Sequence, residues 1–496
     1  MFKDLGKLIY QSDVSSEKIK ISDILEGSNN FNDYIIYKNK TKFKVYNRIC
    51  DHAGGKIISR SGENICPVHK WKFNSKTGFY TNGIKKKESN YFINKKFLEI
   101  EKIKLKPQIK INKKKDNKVS VRFFNHAFLH VQSKKYSFSI DPWAIGPAFN
   151  TGWWLKHKTK EDWIKILNNS NFIYISHNHP DHLHPLTLSK IDKTIPIVVP
   201  KFITDSTGKY IESLGFKNII RLEFEKQYNL IGSDLIISIL KSGDFREDSG
   251  IYFSDGNFTS LFDVDSNAIN FERLPEVDLY ASSFAGGASG YPIMFDNYNH
   301  SDQIKIMKKE KNFLKWKKVN HLKKMKTNYF LPYAGFFEEN LERDSRVKKY
   351  NQKNSINDYE TFCNKNNIKL LNVENKDLYK FNGNKLLSSN NVKKKNYMDL
   401  RNNTYLNYYK KEYSMIDEKY IKDYFINSRF TDPLKLYIIL TDDNFISSKK
   451  GYSIDFSKKK ITFKQLKIFN TTKLIKKSNN KILILKVRKE SFKYFV

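Results

Sequence analysis

Between Tyr34 and Ile103, short runs of β-branched and aromatic residues alternate with glycine-marked turns. Tyr34–Tyr37, Phe43–Tyr46 and Phe97–Ile100 are examples, and the pattern predicts a small all-β domain. Residues Lys104–Lys118 are rich in lysine and lack a hydrophobic period, so a linker is expected there. From Val119 the pattern changes. Strand-like runs lie at Val121–Phe124, Phe172–Ser176, Ile195–Val199, Leu235–Leu240, Ile251–Ser254, Leu279–Ser282 and Tyr329–Pro332. Helix-like stretches such as Lys160–Asn168 and Leu186–Asp192 fall between some of them, which predicts a layered α/β domain. Past residue 346 the pattern weakens. Asp417–Asn427 reads as a helix, and Leu434–Thr441 and Tyr452–Phe456 read as strands. The expected division is therefore 1–107, 118–345 and 346–496, the last a small α+β region whose role the sequence does not indicate.

Composition narrows the class. With 496 residues, 39% hydrophobic and 15% aromatic, the chain has apolar material for several cores, which excludes wholesale disorder. The formal charge of +37 favours anionic partners. Lys, Asn, Ile, Tyr and Phe, all with AT-rich codons, are abundant together, so the base composition of the gene offers a second source for that surplus. Lysine clusters such as Lys113–Lys115 and Lys393–Lys395 sit among Asn and Ser rather than aromatic platforms, and no nucleic-acid partner is expected. The first residues, Met1–Asp13, hold no apolar core of signal-peptide length, and no run approaches the length that crosses a bilayer. A soluble cytoplasmic protein in a reducing compartment is expected.

The only cysteines are Cys50, Cys66 and Cys363, too few for a disulfide framework. Two of them belong to short blocks, Cys50-Asp51-His52 and Cys66-Pro67-Val68-His69. A Rieske [2Fe–2S] cluster takes two thiolates on one iron and two imidazoles on the other. Each block supplies one of each, so Cys50, His52, Cys66 and His69 are the expected cluster ligands. A Cys2His2 zinc module usually groups its cysteines and its histidines separately, whereas here they alternate. Gly54, Gly55 and Gly62 suit tight loops between the blocks, and Trp71 and Phe73 are placed to pack beneath the second.

A second constellation follows the strand Phe172–Ser176. It reads His177-Asn178-His179-Pro180-Asp181-His182, the H-x-H-x-D-H signature of the metallo-β-lactamase fold. In that fold His177 and His179 grip one metal, while Asp181 and His182 face a second metal or the reacting water. Asn125-His126-Ala127 resembles the early strand block of the same fold, and Asp265 stands where its bridging carboxylate belongs. The competing reading is a solvated histidine-rich loop. His184 is assigned a structural or supporting place. The middle segment Lys241–Gly250 offers Asp244, Glu247 and Asp248 but no histidine. Two or three histidines with one or two carboxylates match non-haem iron better than a full dizinc set. The Rieske domain points the same way, because hydrolysis needs no electrons and O2 activation does.

Further blocks carry a family resemblance. They are Asp141-Pro142-Trp143, Gly146-Pro147-Ala148-Phe149, Gly152-Trp153-Trp154-Leu155, Ser283-Phe284-Ala285-Gly286-Gly287-Ala288-Ser289-Gly290-Tyr291-Pro292 and Pro332-Tyr333-Ala334-Gly335-Phe336-Phe337. In order and spacing they resemble the CMP-N-acetylneuraminate hydroxylase family over roughly residues 40–345, and more weakly at Thr441–Phe445 and Gly451–Phe456. The resemblance implies an all-β Rieske domain, a metallo-β-lactamase-like αββα sandwich and a small α+β C-terminal region. It also implies a monooxygenase that turns the N-acetyl methyl of a CMP-activated sialic acid into the N-glycolyl form with O2. Electrons would come from cytochrome b5, a ferredoxin or a flavoprotein reductase. The chain departs from the family in ending earlier than the animal enzymes. It also has Phe245 or a neighbouring carboxylate where those enzymes carry a histidine.

The phosphodiester and carboxylate of such a substrate call for a basic pocket. Trp153 and Trp154 are candidates to stack on it, and Gly286, Gly287, Ser289 and Tyr291 to meet an anionic group through backbone N–H donors. The competing assignments are core tryptophans and a tight structural turn. Other functions weighed are a hydrolase or nuclease of the same fold with a redox-sensing Rieske domain, and a plain electron carrier. The third is an aromatic-ring oxygenase, which usually presents its histidines on a helix.

Overall fold

Phe172-Ile173-Tyr174-Ile175 shows how the larger unit is built. Side chains alternate across a strand, so Phe172 and Tyr174 enter one core while Ile173 and Ile175 enter another. The first core fills the space between two eight-stranded sheets. The second lies on the outer face of one of them, beneath Trp163, Leu167, Leu188 and Ile211. The computed structural model describes residues 1–495 except 52–55, 61, 67–70, 110–117, 243–245, 267–273, 287–289, 392–401, 413–416, 429, 431–432, 446, 458–459 and 467–480.

The first sheet runs, in spatial order, Phe2–Lys7, Lys226–Leu230, Ile236–Lys241, Ser249–Ser254, Thr259–Phe262, Leu279–Ser283, Tyr329–Tyr333 and Lys369–Leu370. The second runs Ile219–Leu222, Ile197–Pro200, Phe172–Tyr174, Ser137–Ile140, Phe128–Gln132, Lys118–Asn125, Lys376–Asn382 and Lys385–Asn391. The helices Trp163–Asn168 and Ser206–Ser213 cover the second sheet, and the helix His300–Met325 lies on the first, with His321 Nδ1 3.0 Å from the Tyr280 hydroxyl. This is the αββα sandwich of a metallo-β-lactamase-like fold. It draws strands from both sides of the 118–345 stretch: Phe2–Lys7 caps one sheet edge, and the strands of 369–391 extend both sheets.

The N-terminal unit is all-β. Ile9–Lys20 and Phe97–Gln108 pair antiparallel along their full length and brace two smaller sheets, Gly27–Phe31 to Lys42–Asn47 and Ile58–Arg60 to Phe79–Tyr80. The C-terminal unit is a four-stranded sheet, with Ile421, Phe425 and Phe492 from its helices in one core with Ile438 and Tyr452. Among the described residues, no helix is long and apolar enough to cross a membrane.

Candidate metal centres

Cys50 follows the strand Lys42–Asn47, and its loop is closed where Ile49 pairs with Lys56. Cys66 follows Glu63–Ile65, and its N–H bonds the Trp71 carbonyl at 2.8 Å to close the second loop. Both cysteines are buried, in one core with Tyr46, Ile57, Phe73 and Tyr80, with Trp71 packed against it. His52 and His69 lie outside the described residues. Beside Cys50, the buried Lys86 ammonium donates to the Ile49 carbonyl at 2.6 Å and to the Asp51 carboxylate at 3.1 Å. The Tyr80 hydroxyl accepts from the Asp51 N–H at 3.2 Å.

The second centre lies at the end of the sandwich. Strand Phe172–Tyr174 delivers Ser176 and His177 directly into the loop. His177 Nε2 is 2.8 Å from His179 Nδ1, and both belong to a group of possible ligand atoms with Asp265. Two donors about 2.1 Å from one ion at right angles stand about 3 Å apart, so this spacing suits a shared cation. A neighbouring group comprises His126, Asp181 and His182, with His126 Nε2 2.9 Å and His182 Nε2 3.2 Å from Asp181 Oδ2. Asp265 Oδ2 is 3.5 Å from His182 Nε2, which ties the two groups together. His177, Asp181 and His182 are buried, Asp265 is partly exposed and His179 opens to solvent.

Hydrogen bonds set the ring orientations. A carboxylate only accepts, so His182 Nδ1 donates to Asp141 Oδ2 at 2.9 Å, which turns Nε2 toward Asp181. Ser176 donates to the same carboxylate from N (2.8 Å) and from Oγ (2.6 Å). With its proton committed there, Ser176 Oγ accepts from His177 Nδ1 at 2.9 Å, which leaves His177 Nε2 a bare lone pair. Burial, with the adjacent His182 and His179 rings, pushes His177 well below the usual imidazole range. Burial works against charge on Asp181, but the His182 and His126 rings outweigh it and hold the carboxyl well below its usual range. A neutral imidazole beside an ionised carboxylate is what a divalent cation takes. His182 Nε2 and Asp181 Oδ1 are buried without a hydrogen bond, as metal-facing atoms would be. The residues fit a metal centre.

The family model for Rieske [2Fe-2S] domains matches residues 7–92. The cytidine monophosphate-N-acetylneuraminic acid hydroxylase of Pongo pygmaeus is 30% identical over 382 residues, covering 70% of this chain and 64% of that protein. The mouse protein of the same name, from Mus musculus, is 29% identical over 380 residues, covering 70% and 65%. The chain is a relative of the cytidine monophosphate-N-acetylneuraminic acid hydroxylases. The match spans less than two thirds of those hydroxylases' own length. Among solved structures, a metallo hydrolase from Ignicoccus hospitalis aligns with 53% of this chain and 98% of its own at 14% identity and a TM-score of 0.36.

The hydroxylase-like blocks have distinct places in the structure. Trp153 is half-buried near the metal-facing groups: its ring stacks on Phe337 (centroids 3.7 Å), meets Phe149 edge-on (4.4 Å) and lies 6.3 Å from His126. Trp154 is a core residue, 1% exposed, with its indole N–H on the Thr151 carbonyl at 2.9 Å, so as it stands it has no face to offer a substrate. Gly286 and Gly290 take positive φ, and Gly287 and Ser289 lie outside the described residues. Tyr291 is exposed, its hydroxyl 3.4 Å from that of Tyr298. Both ring nitrogens of His184 are taken up structurally, by Thr187 and the Pro147 carbonyl. In the middle segment, Asp244 and Phe245 lie outside the described residues, Glu247 binds Thr204, and Asp248 Oδ1 reaches within 3.9 Å of His177 Nε2.

Two members of the cluster do not stand out as functional residues in the sequence. His126 and Asp141 each stand at the end of a strand with φ near +40°, an unusual conformation outside glycine. Both lie in blocks singled out above, but only sheet pairing brings them to the H-x-H-x-D-H loop.

Proposed function

We propose that the chain is an iron-dependent monooxygenase. Its substrate would be CMP-N-acetylneuraminate or a close CMP-activated nonulosonic acid, hydroxylated on the N-acetyl methyl to give the N-glycolyl form. The observation that supports this most is the presence in one chain of a Rieske domain and a buried His/Asp cluster. A hydrolase of this fold has no use for an electron-storing cluster. In this reading Cys50, His52, Cys66 and His69 hold the [2Fe–2S] cluster. His177, His179 and Asp265, with His126, Asp181 and His182, hold iron. Bound there, iron supplies the O2 chemistry that an unactivated methyl C–H bond demands.

The protein's own groups prepare that chemistry. Asp141 fixes His182 and, through Ser176, His177, so the ligand set is arranged before metal and substrate arrive. Phe149, Trp153 and Phe337 wall the centre with aromatic surface, which excludes water and gives the substrate a face to stack on. His179 lies on the open side, where the substrate would enter. Gly286, Gly287, Ser289 and Tyr291 are the residues assigned to an anionic part of the substrate. The +37 formal charge attracts a substrate carrying a phosphodiester and a carboxylate. Cytochrome b5, a ferredoxin or a flavoprotein reductase would supply the electrons.

The test is incubation of the full chain, loaded with iron and sulfide, with CMP-N-acetylneuraminate, O2 and a reductant. A product heavier by one oxygen atom that comes from labelled O2 supports the reading. Turnover of a phosphodiester or ester without reductant, with zinc as the bound metal, would replace it with the hydrolase reading.

A further inference from the structure

Asp263 and Asp265 are two residues apart at the end of the strand Thr259–Phe262. In an extended strand, side chains at that spacing point to the same side. Here they part. Asp265 turns to the histidines, with Oδ2 3.5 Å from His182 Nε2. Asp263 turns into the protein, where it accepts from Lys318 Nζ at 3.1 Å and from the Tyr280 hydroxyl at 2.5 Å. The residue between them makes the split. Val264 is buried and has φ +52°, a left-handed conformation that a β-branched side chain rarely adopts. Such a residue persists only where its surroundings over-determine it.

Those surroundings are a buried polar network. Lys318 also donates to Ser282 Oγ, and the Tyr280 hydroxyl lies 3.0 Å from His321 Nδ1. Asp263, Tyr280, Ser282, Lys318 and His321 are each at most 1% exposed. Backbone bonds finish the clamp: Asp263 N to Ala281 O (3.1 Å), Ser283 N to Val264 O (3.1 Å) and Ser266 N to Asp263 O (2.8 Å). Lys318 comes from the helix His300–Met325, a lysine-rich element that sends this ammonium under the sheet instead of into water. A buried ion pair of this kind does little for stability compared with apolar packing, so its presence here calls for a more specific task.

We propose that Lys318 and Asp263 are positioning residues for the metal centre. The ion pair pins Asp263 inward, holds Val264 in its left-handed turn and thereby presents the Asp265 carboxylate to the histidines. The inference rests on the reading of Asp265 as a metal ligand. With Lys318 gone, a stranded Asp263 carboxylate would pull toward water and take the turn, and Asp265, with it.

The test uses the full chain with its Rieske cluster loaded, dialysed against cobalt(II), with the additional bound cobalt counted. K318M and D263N should each weaken cobalt binding by about tenfold or more, with the Rieske absorption and a cooperative unfolding transition retained. The double variant D263N/K318M strands no charge and keeps a side-chain amide for Tyr280 and Ser282. It should recover to within about threefold of the wild type, as expected for coupled neighbours. Should K318M fail to fold, D263N and the double variant decide alone: weak binding in the first with recovery in the second supports the proposal, and equal binding in both overturns it. Wild-type binding in K318M together with loss in D265A also overturns it. Wild-type binding in D265A instead removes the ligand role on which the inference rests.

Discussion

Asp141 Oδ2 accepts from His182 Nδ1, 41 positions further along the chain, at 2.9 Å, just beyond the parallel pairing of Ser137–Ile140 with Phe172–Tyr174. The same carboxylate holds Ser176, whose hydroxyl accepts from His177. One buried acid thus fixes the tautomer and direction of two of the proposed metal-binding rings. Replacing Asp141 by Asn puts an amide donor where His182 and Ser176 need an acceptor. D141N is expected to keep the fold and lose about 10–100-fold in affinity for the metal of this centre. Metal content after dialysis against a graded chelator checks it.

Lys86 bears on the other centre. Its ammonium bridges the Ile49 carbonyl and the Asp51 side chain, the residues on either side of Cys50. Burial lowers its pKa, and the Asp51 carboxylate opposes that shift. A cation held there stabilises the extra negative charge of a reduced cluster. K86M is expected to lower the cluster's midpoint potential by up to ~60 mV, about a tenfold change in a one-electron equilibrium. Redox titration followed by EPR reads this directly.

His130 predicts a pH effect. It is 5% exposed, with Nδ1 2.9 Å from Ser139 Oγ. Burial, helped by Arg122, pushes its pKa down to about 4. The unfolded ring keeps an ordinary value of about 6.5. Between these values the unfolded chain binds a proton that the folded chain refuses, so stability falls as pH falls through that window. H130Q should flatten this loss, by up to about 3 kcal/mol at its lower end. Urea unfolding at several pH values across the window measures it.

The two adjacent tryptophans should behave differently. Trp154 fills core space, so W154A is expected to cost about 3–5 kcal/mol of stability. Trp153 is half-buried and stacks on Phe337, so W153A should cost less and instead weaken substrate binding. Thermal unfolding paired with calorimetric titration of CMP-N-acetylneuraminate into the oxidised, anaerobic protein separates the two.

Local pattern revealed the parts of this protein that are local. The H-x-H-x-D-H loop, the two cysteine blocks and Asp265 all stand out by spacing or by a strand's end. His126 and Asp141 are single residues whose role depends on which strands lie side by side, and that is a long-range property. The same reason hid Phe2–Lys7 at a sheet edge and the strands of 369–391. The helix His300–Met325 was obscure for another reason. Its buried positions include Gln303, Lys317, Lys318 and His321, so it lacks the apolar stripe that marks a packed helix. Arg343 is a further long-range element: it meets Asp443 at 2.6 Å and the Asn150 carbonyl at 3.3 Å, linking the C-terminal unit to the loop before Trp153.

The most direct test of the account asks whether electrons stored in the Rieske cluster are consumed at the histidine centre. The cluster is reduced under anaerobic conditions, mixed with O2 and CMP-N-acetylneuraminate, and its reoxidation followed by rapid-freeze EPR in the wild type and in a H177A/H179A variant. Substrate should accelerate reoxidation in the wild type, with one hydroxylated product formed, and should have no effect in the variant. Equal reoxidation rates in both proteins, with or without substrate, would contradict the account.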